Sequence, residues 1–339
     1  MNKLLVIVGP TGTGKTSLAL ELAKKFDGEL VSADSRQIFS GMDVGTGKVE
    51  FRMKNEELNS SQAQRLLSSK VRINERFEKH DGFWRVEGIP IHLYDVVDPD
   101  ERFSVAQFQQ LALEKIAEII SRKKLPILVG GTGLYVQAIT EGLKIPKVAP
   151  DTALRESLEK KSTERLLGLL LEIDPASYKK IDQNNRRRIT RALEVYQATG
   201  KPFSELREKY KVNFDLLILG LTATRERLYE NTDQRVDEWF GSGAFQKEVE
   251  ALLQDYPQDL PSFTSLGYQD VIGLLTSRLT LEEAIQRTKF KHHAYIRRQL
   301  TWFRKMGKIN WFNIEALDKK EMKRLIQSWL TVSEETPTT

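Results

Sequence analysis

Apolar positions along this chain fall into two periodicities. Leu4-Leu5-Val6-Ile7-Val8 is an unbroken apolar run ending at Gly9, which predicts a strand buried on both faces. Ser17 to Phe26 then takes up helical spacing. Glu29 to Asp34 reads as a second strand that ends on an acidic residue, and Phe83–Val86 and Ile91–Val97 read as two more around Gly88-Ile89-Pro90. Behind the turn Asp98-Pro99-Asp100, Ser104 stands at an N-cap position. The apolar residues Val105, Phe108, Leu111, Ala112, Ile116 and Ile119 then recur as on one helix face. Pro126 to Val129 is another buried strand, entering a helix through Gly130-Gly131-Thr132-Gly133, and Leu216 to Leu221 is the last core strand. Strands alternating with helices predict an α/β fold, a parallel sheet flanked by helices.

That alternation is interrupted once. The proline-bearing stretch Glu141 to Pro150 reads as a linker, and Asp151 to Ile181 carries short amphipathic helices without a strand. The expected division is a core domain over 1–140 and 183–315, an all-helical insertion over 141–182 that could act as a lid, and a C-terminal helix and tail over 316–339. Val49 to Asp81 is polar and weakly periodic, a surface excursion partly helical around Ser61 to Leu67.

Composition narrows the picture. No apolar run approaches the roughly 18 residues a membrane span needs, and the N-terminus enters a strand directly. The absence of cysteine excludes disulfides and thiolate metal sites and suits the cytoplasm. No apolar stripe is left over for a partner subunit, which predicts a monomer. A net charge of +5 is mild, so its meaning rests on where the cations cluster.

Chemistry concentrates at Gly9-Pro10-Thr11-Gly12-Thr13-Gly14-Lys15-Thr16. Between strand and helix, this spacing curls backbone N–H groups around phosphate oxygens, with Lys15 as a point charge and the Thr16 hydroxyl set to hold Mg²⁺. Residues just beyond the carboxyl ends of parallel strands line the ligand crevice, which brings in Asp34 and Arg225. The duller alternatives are a turn cap for Asp34 and a capping salt bridge for Arg225. The turn at Gly130–Gly133 is either a second anion site or a close helix-to-sheet contact.

Two basic segments point to a larger polyanion. Asn184 to Tyr196 begins with Arg186, Arg187, Arg188 and then Arg191, although arginine near a helix start opposes the dipole. Phosphates of a partner or salt bridges to the insertion would explain them. Glu282 to Lys308 carries eight lysines and arginines interleaved with Phe290, His292, His293, Tyr295, Trp302 and Phe303, a pattern that tracks a nucleic-acid backbone. About six such contacts would give a log–log salt slope of roughly −4 to −5.

Taken in order, these motifs resemble the IPP transferase family, the bacterial tRNA dimethylallyltransferases or tRNA isopentenyltransferases. The resemblance rests on Gly9 to Thr16, Asp34-Ser35, Gly41 to Thr46, Asp98-Pro99-Asp100 with Phe103 to Ala106, and Gly130 to Tyr135. It continues through Arg191 to Val195, Thr199 to Pro202, Gly267-Tyr268 and Arg298 to Arg304. It implies a P-loop NTPase-like fold and transfer of a dimethylallyl group from its diphosphate to N6 of an adenosine beside the tRNA anticodon.

On that resemblance Asp34 is the base, with Lys15, Thr16, Arg225 and Ser104 in the catalytic set, and Gly9 to Thr16 bind the diphosphate with Mg²⁺ on Thr16. Asp34, Ser35, Arg36, Gln37, Thr132, Arg155, Arg187, Arg188, Arg191, Gly267 and Tyr268 are expected on the tRNA path. The chain departs from the family's pattern in the long excursion after Val49, in Ile91 before His92, and in Thr264 and Gln269. The rivals are a free-adenylate isopentenyltransferase, a small-molecule kinase, and an RNA-binding regulator whose nucleotide site only switches conformation.

Overall fold

The computed structural model describes residues 1–48, 77–146, 148–149, 151–206 and 209–332. Its core is an eight-stranded sheet built from β1 (Asn2–Val8), β2 (Gly28–Ser32), β3 (Phe77–His80), β4 (Phe83–Val86), β5 (Ile89–His92), β6 (Leu125–Gly130), β7 (Phe214–Thr222) and β8 (Ile309–Asn313). The strand order is β3-β4-β5-β2-β6-β1-β7-β8. From β5 to β8 every pairing is parallel, while β3, β4 and β5 meander antiparallel at one edge. Leu4 to Val8 are wholly buried, as a central parallel strand requires.

The β4–β5 turn runs through left-handed Glu87 and Gly88, and left-handed Leu93 and Asp95 end β5 earlier than the apolar run to Val97 predicts. Two strands escape the sequence pattern. β3 lies inside the expected surface excursion, whose residues 49–76 and proposed helix fall outside the described residues. β8 is five residues long and lies beyond a turn at Gly307 and left-handed Lys308. Most of its residues are exposed or half-buried, so no apolar run announces it.

The expected C-terminal helix forms over Lys319–Thr331, and it belongs to the core. Met322 and Ile326 are wholly buried against the same apolar cluster as Leu5, Leu22 and Ile127. The Lys3 ammonium donates to the Trp329 carbonyl at 2.6 Å, tying this helix to the first strand.

Backbone contacts group the chain into two units. The larger comprises 1–104, 110–136 and 213–339; the smaller comprises 105–109 and 137–212. The smaller unit is helical, with Thr152–Glu159, Thr163–Ile173, Pro175–Lys180 and Arg186–Thr199 gathered around Leu166, Leu170, Ile189 and Ala192. It contains both the 141–182 segment and the arginine-bearing helix, whose apolar face packs on the helices before it.

Inside that unit Glu194 is buried and gathers three partners. Arg155 donates from Nε and Nη2 at 2.8 and 2.9 Å, Arg191 donates from Nη1 at 2.6 Å, and the Asp151 N–H adds a fourth bond at 2.8 Å. Removing one member of a buried charge cluster leaves the others desolvated and unpaired. Both arginines remain about a third exposed, at 37% and 31%, which moderates the loss. Glu194→Ala is therefore expected to destabilise this unit by about 2–3 kcal/mol, below the 3–5 typical of a sealed pair. Hydrogen exchange of Thr152–Glu159 and Arg186–Thr199 measures it, and unchanged protection would sink the expectation.

Candidate active site

The site grows out of the end of β1. Gly12 and Gly14 take left-handed φ values of 84° and 71°, and a Cβ on Gly12 would come within 3.0 Å of Thr232 Oγ1 and 3.1 Å of the Leu228 carbonyl. Only glycine accommodates both demands. Gly14 caps the helix Lys15–Phe26 without a side-chain hydrogen bond, so the first-turn N–H groups are left for an anion.

The loop is braced from outside. Thr13 Oγ1 donates to the Pro10 carbonyl at 2.8 Å, and Asn231 Nδ2 donates to the Gly12 carbonyl at 2.8 Å. Gln299, 4% exposed, accepts the Thr11 N–H at 2.9 Å and donates to the Gly131 carbonyl at 3.0 Å. Arg235 Nη2 reaches Thr11 Oγ1 at 3.4 Å.

Lys15 lies against this loop, with Nζ 3.4 Å from the Pro10 carbonyl. Burial pulls its pKa down to about 8; the Asp34 charge works the other way, and Arg235 adds to the depression. Lys15, Asp34 and Arg235 thus share one electrostatic field. Thr16, half-buried, follows on the first helical turn.

Asp34 stands two residues past β2. Its Oδ1 accepts the Arg36 N–H at 2.9 Å, so the turn cap and the place beside Lys15 are both real. The second glycine turn supports it by close packing: a Cβ on Gly130 would lie 2.2 Å from the Ala33 carbonyl, one on Gly131 2.4 Å from Gln299, and one on Gly133 2.2 Å from Trp302. From this turn the Thr132 N–H donates to the Ala33 carbonyl at 3.2 Å, and Thr132 Oγ1 accepts the Ser35 N–H at 3.0 Å. Tyr135 and Tyr295 lie within electrostatic reach of the carboxylate. Burial pushes both phenols up, and the Asp34 charge pushes them further, so both keep their protons.

Several expected site residues have other work. Gln37 is internal: its amide donates to the Thr46 and Gly47 carbonyls at 3.3 and 3.1 Å, and its oxygen accepts from Ser32 at 2.9 Å. Tyr268, expected on the tRNA path, is wholly buried and donates its hydroxyl to Glu248 at 2.6 Å. Gly267, at φ 87°, precedes it where a Cβ would meet Phe245 at 2.7 Å, so both residues serve the core. Arg155 and Arg191 are committed to Glu194, and Arg186 Nη2 donates to the carbonyls of Leu158 and Glu159. One salt bridge, at Arg191, and carbonyl hydrogen bonds, at Arg186, thus account for two of the four arginines of that segment, and Arg187 and Arg188 are its exposed cations.

Arg36 remains half-buried beside the site, with Nη2 3.2 Å from Thr264 Oγ1. Arg225 is exposed on the first turn of the helix Arg225–Gly241, and Ser104 is exposed immediately before Val105–Ser121. In the basic helix Leu281–Arg304, Lys289 and Lys291 pair with Asp237 and Asp270 at 2.7 and 2.6 Å. Arg287, Arg297, Arg298 and Arg304 are exposed, as are Lys305 and Lys308 just beyond the helix, which leaves six of the eight cations open to a polyanion.

Asn231, Arg235, Tyr295 and Gln299 were not singled out as site residues from the sequence. Their signal was available: each pair lies four residues apart, on one face of its helix.

Comparison with known proteins agrees with this geometry. The family model described as IPP transferase matches residues 69–306, and one described as isopentenyl transferase matches 2–75. A tRNA dimethylallyltransferase of Roseiflexus sp. (strain RS-1) is 39% identical over 97% of this chain and 99% of its own. One from Bacillus cytotoxicus is 39% identical over 97% and 96%. Among solved structures, the full-length tRNA isopentenylpyrophosphate transferase from Bacillus halodurans superposes with a TM-score of 0.63 at 34% identity, covering 97% of this chain and 96% of that one. A eukaryotic dimethylallyltransferase acting on tRNA gives a TM-score of 0.74 at 27% identity over 96% and 78%. With a phosphate loop, a facing carboxylate and full-length likeness in agreement, the chain belongs to the IPP transferase family.

Proposed function

We propose that this chain transfers a dimethylallyl group from dimethylallyl diphosphate to N6 of the adenosine adjacent to the anticodon in tRNA, releasing pyrophosphate. The observation that carries the reading is the phosphate loop closing β1, with left-handed Gly12 and Gly14 and Lys15 against it, in the same parallel sheet whose β2 ends two residues before the Asp34 carboxylate. Breaking the allylic C–O bond leaves its electron pair on the departing diphosphate, where loop N–H groups, Lys15 and Arg235 stabilise it, with Arg225 as a further cation. As N6 bonds to the allylic carbon its proton becomes acidic, and Asp34 accepts it.

Thr16 fits Mg²⁺. Its hydroxyl is a hard oxygen on the first turn of a helix that no side chain caps, and Mg²⁺ binds through one or two protein oxygens together with substrate phosphates. When bound, the ion would draw negative charge off the leaving group.

An adenine must leave its stack to reach such a site, which favours an unpaired anticodon loop. Ser35, Arg36 and Thr132 border Asp34, and Arg187, Arg188, Arg287, Arg298 and Arg304 offer exposed charge to the backbone. A monomer in the cytoplasm serves this reading. No helix among the described residues is long and apolar enough to cross a membrane. A sedimentation mass of twice 38.9 kDa would overturn the monomer.

The test offers the protein Mg²⁺ and dimethylallyl diphosphate with unmodified tRNA, AMP or ATP in separate reactions, and reads nucleosides by mass spectrometry. A prenyl-sized gain on adenosine in the tRNA reaction is expected. A gain on AMP or ATP alone would move the activity to free nucleotides, and ATP consumption without any gain would return the loop to a kinase.

A further inference from the structure

Three neighbouring strands end side by side under the site, in the order β2, β6, β1. Asp34 follows β2, the turn Gly131–Gly133 follows β6, and the phosphate loop follows β1. Strands lie roughly 4.8 Å apart, so the sheet spaces their ends, but loops beyond the last ladder bond need ties of their own. Two such ties meet on one peptide unit, the one that joins Gly131 to Thr132. Its carbonyl accepts from Gln299 Nε2 at 3.0 Å, and its N–H donates to the Ala33 carbonyl at 3.2 Å, next to Asp34. Gln299 Oε1 accepts the Thr11 N–H at 2.9 Å, which carries the same line into the phosphate loop. On the other side Thr132 Oγ1 accepts the Ser35 N–H at 3.0 Å, and Asp34 Oδ1 accepts the Arg36 N–H at 2.9 Å. A row of hydrogen bonds thus runs from Thr11 through a rigid peptide plane to the turn that bears the carboxylate.

We propose that Gln299 is a positioning residue for the prenyl transfer, tying the phosphate loop to the Asp34 turn through the Gly131–Thr132 peptide. This rests on the reading of Asp34 as the group that takes the N6 proton. Thr11 offers an N–H and Gly131 a carbonyl, so the position asks for one acceptor and one donor on a single short group. A primary amide supplies both, and neither a carboxylate nor an alkyl chain does. Gln299 is only 4% exposed, so bulk water is kept from replacing either bond. Each substrate is gripped from one side alone, the diphosphate by the loop and Lys15, the tRNA by exposed arginines. Their placement relative to each other depends on the tie. Cutting it therefore acts on kcat, where the reacting groups must be aligned, and leaves both KM values in place.

Gly131 offers a way to move the amide without altering it. A Cβ there would lie 2.4 Å from Gln299 Nε2, while the next atoms, Gln299 Cδ and the Gly9 carbonyl oxygen, stand at 3.6 Å. The methyl of Gly131→Ala is thus relieved by swinging the end of one side chain, and the fold is kept. The experiment measures steady-state and single-turnover prenylation of tRNA by wild type, Gly131→Ala, Gln299→Ala and the double variant, with thermal midpoints alongside. Both single variants should lower kcat about tenfold, with KM for dimethylallyl diphosphate and for tRNA within about twofold of wild type. The single-turnover rate constant should fall equally at full amplitude, which a loss of folded protein would not produce. The double variant should stay within about twofold of Gln299→Ala, because the methyl then has no amide to displace. Wild-type kcat in Gly131→Ala, a loss confined to KM, a reduced amplitude at the wild-type rate constant, or two losses that multiply would each overturn the inference with the function intact. A wild-type protein that prenylates no tRNA would overturn the function reading, and this inference with it.

Discussion

Asp34→Asn is expected to lower kcat for tRNA prenylation by about 10³-fold, within the 10²–10⁴ that a positioned proton acceptor contributes. The substitution is nearly isosteric, and the amide oxygen can still accept the Arg36 N–H that Oδ1 accepts at 2.9 Å, so the turn should survive. What disappears is the negative charge facing Lys15, Tyr135 and Tyr295. An amide cannot take the N6 proton, whereas RNA held by exposed arginines is indifferent to the change. Rapid-quench turnover and filter binding of tRNA should therefore diverge. Turnover within threefold of wild type would remove Asp34 from the chemistry, and a matching loss of binding would make it a structural residue.

Lys15→Met should lower kcat/KM for dimethylallyl diphosphate by at least about 10²-fold, since it deletes an ammonium set against the loop where leaving-group charge develops. Wild type carries the same information in its pH profile. Half-buried Lys15 has its pKa drawn down to about 8, so kcat/KM should be level just below that pH and fall about tenfold per unit above it. Bound diphosphate favours the charged form, so kcat should hold to higher pH than kcat/KM.

Stability should move the other way. An unfolded Lys15 titrates near 10.5, so between about pH 8 and 10.5 the unfolded chain binds the extra proton, and this group's contribution to stability rises with pH. A flat kcat/KM profile to pH 10 in wild type would show that Lys15 is not the titrating group.

Much of this was legible in the residues. Glycine spacing announced the phosphate loop, because Gly12 and Gly14 are demanded locally by backbone geometry. The strand-end rule found Asp34, because its position follows from a parallel sheet. What the residues do not carry is a partner distant in sequence. Nothing in the local pattern shows that Thr46 and Glu248 hold Gln37 and Tyr268 inside. Nor does it say whether phosphates or a salt bridge engage Arg191, until Glu194 is seen closing on Arg155 and Arg191 together. Arg235 and Gln299, 224 and 288 residues after Thr11, enter the site only because their helices pack against the loop.

The docking of Lys319–Thr331 into the cluster around Leu5 has a consequence for how the chain is made. β1 leaves the ribosome before its neighbours β6 and β7, which begin at Leu125 and Phe214, and before the helix that covers its cluster, which ends at Thr331. More than three hundred further residues must be synthesised before this strand is fully sheltered. The helices between 137 and 212 find their partners within that span and can pack while the rest is still being translated. Once residue 212 has emerged, the nascent protein is thus a folded helical island joined to sheet segments awaiting their last strands. Holding those apolar runs apart from other chains falls to whatever binds nascent polypeptide at the tunnel exit.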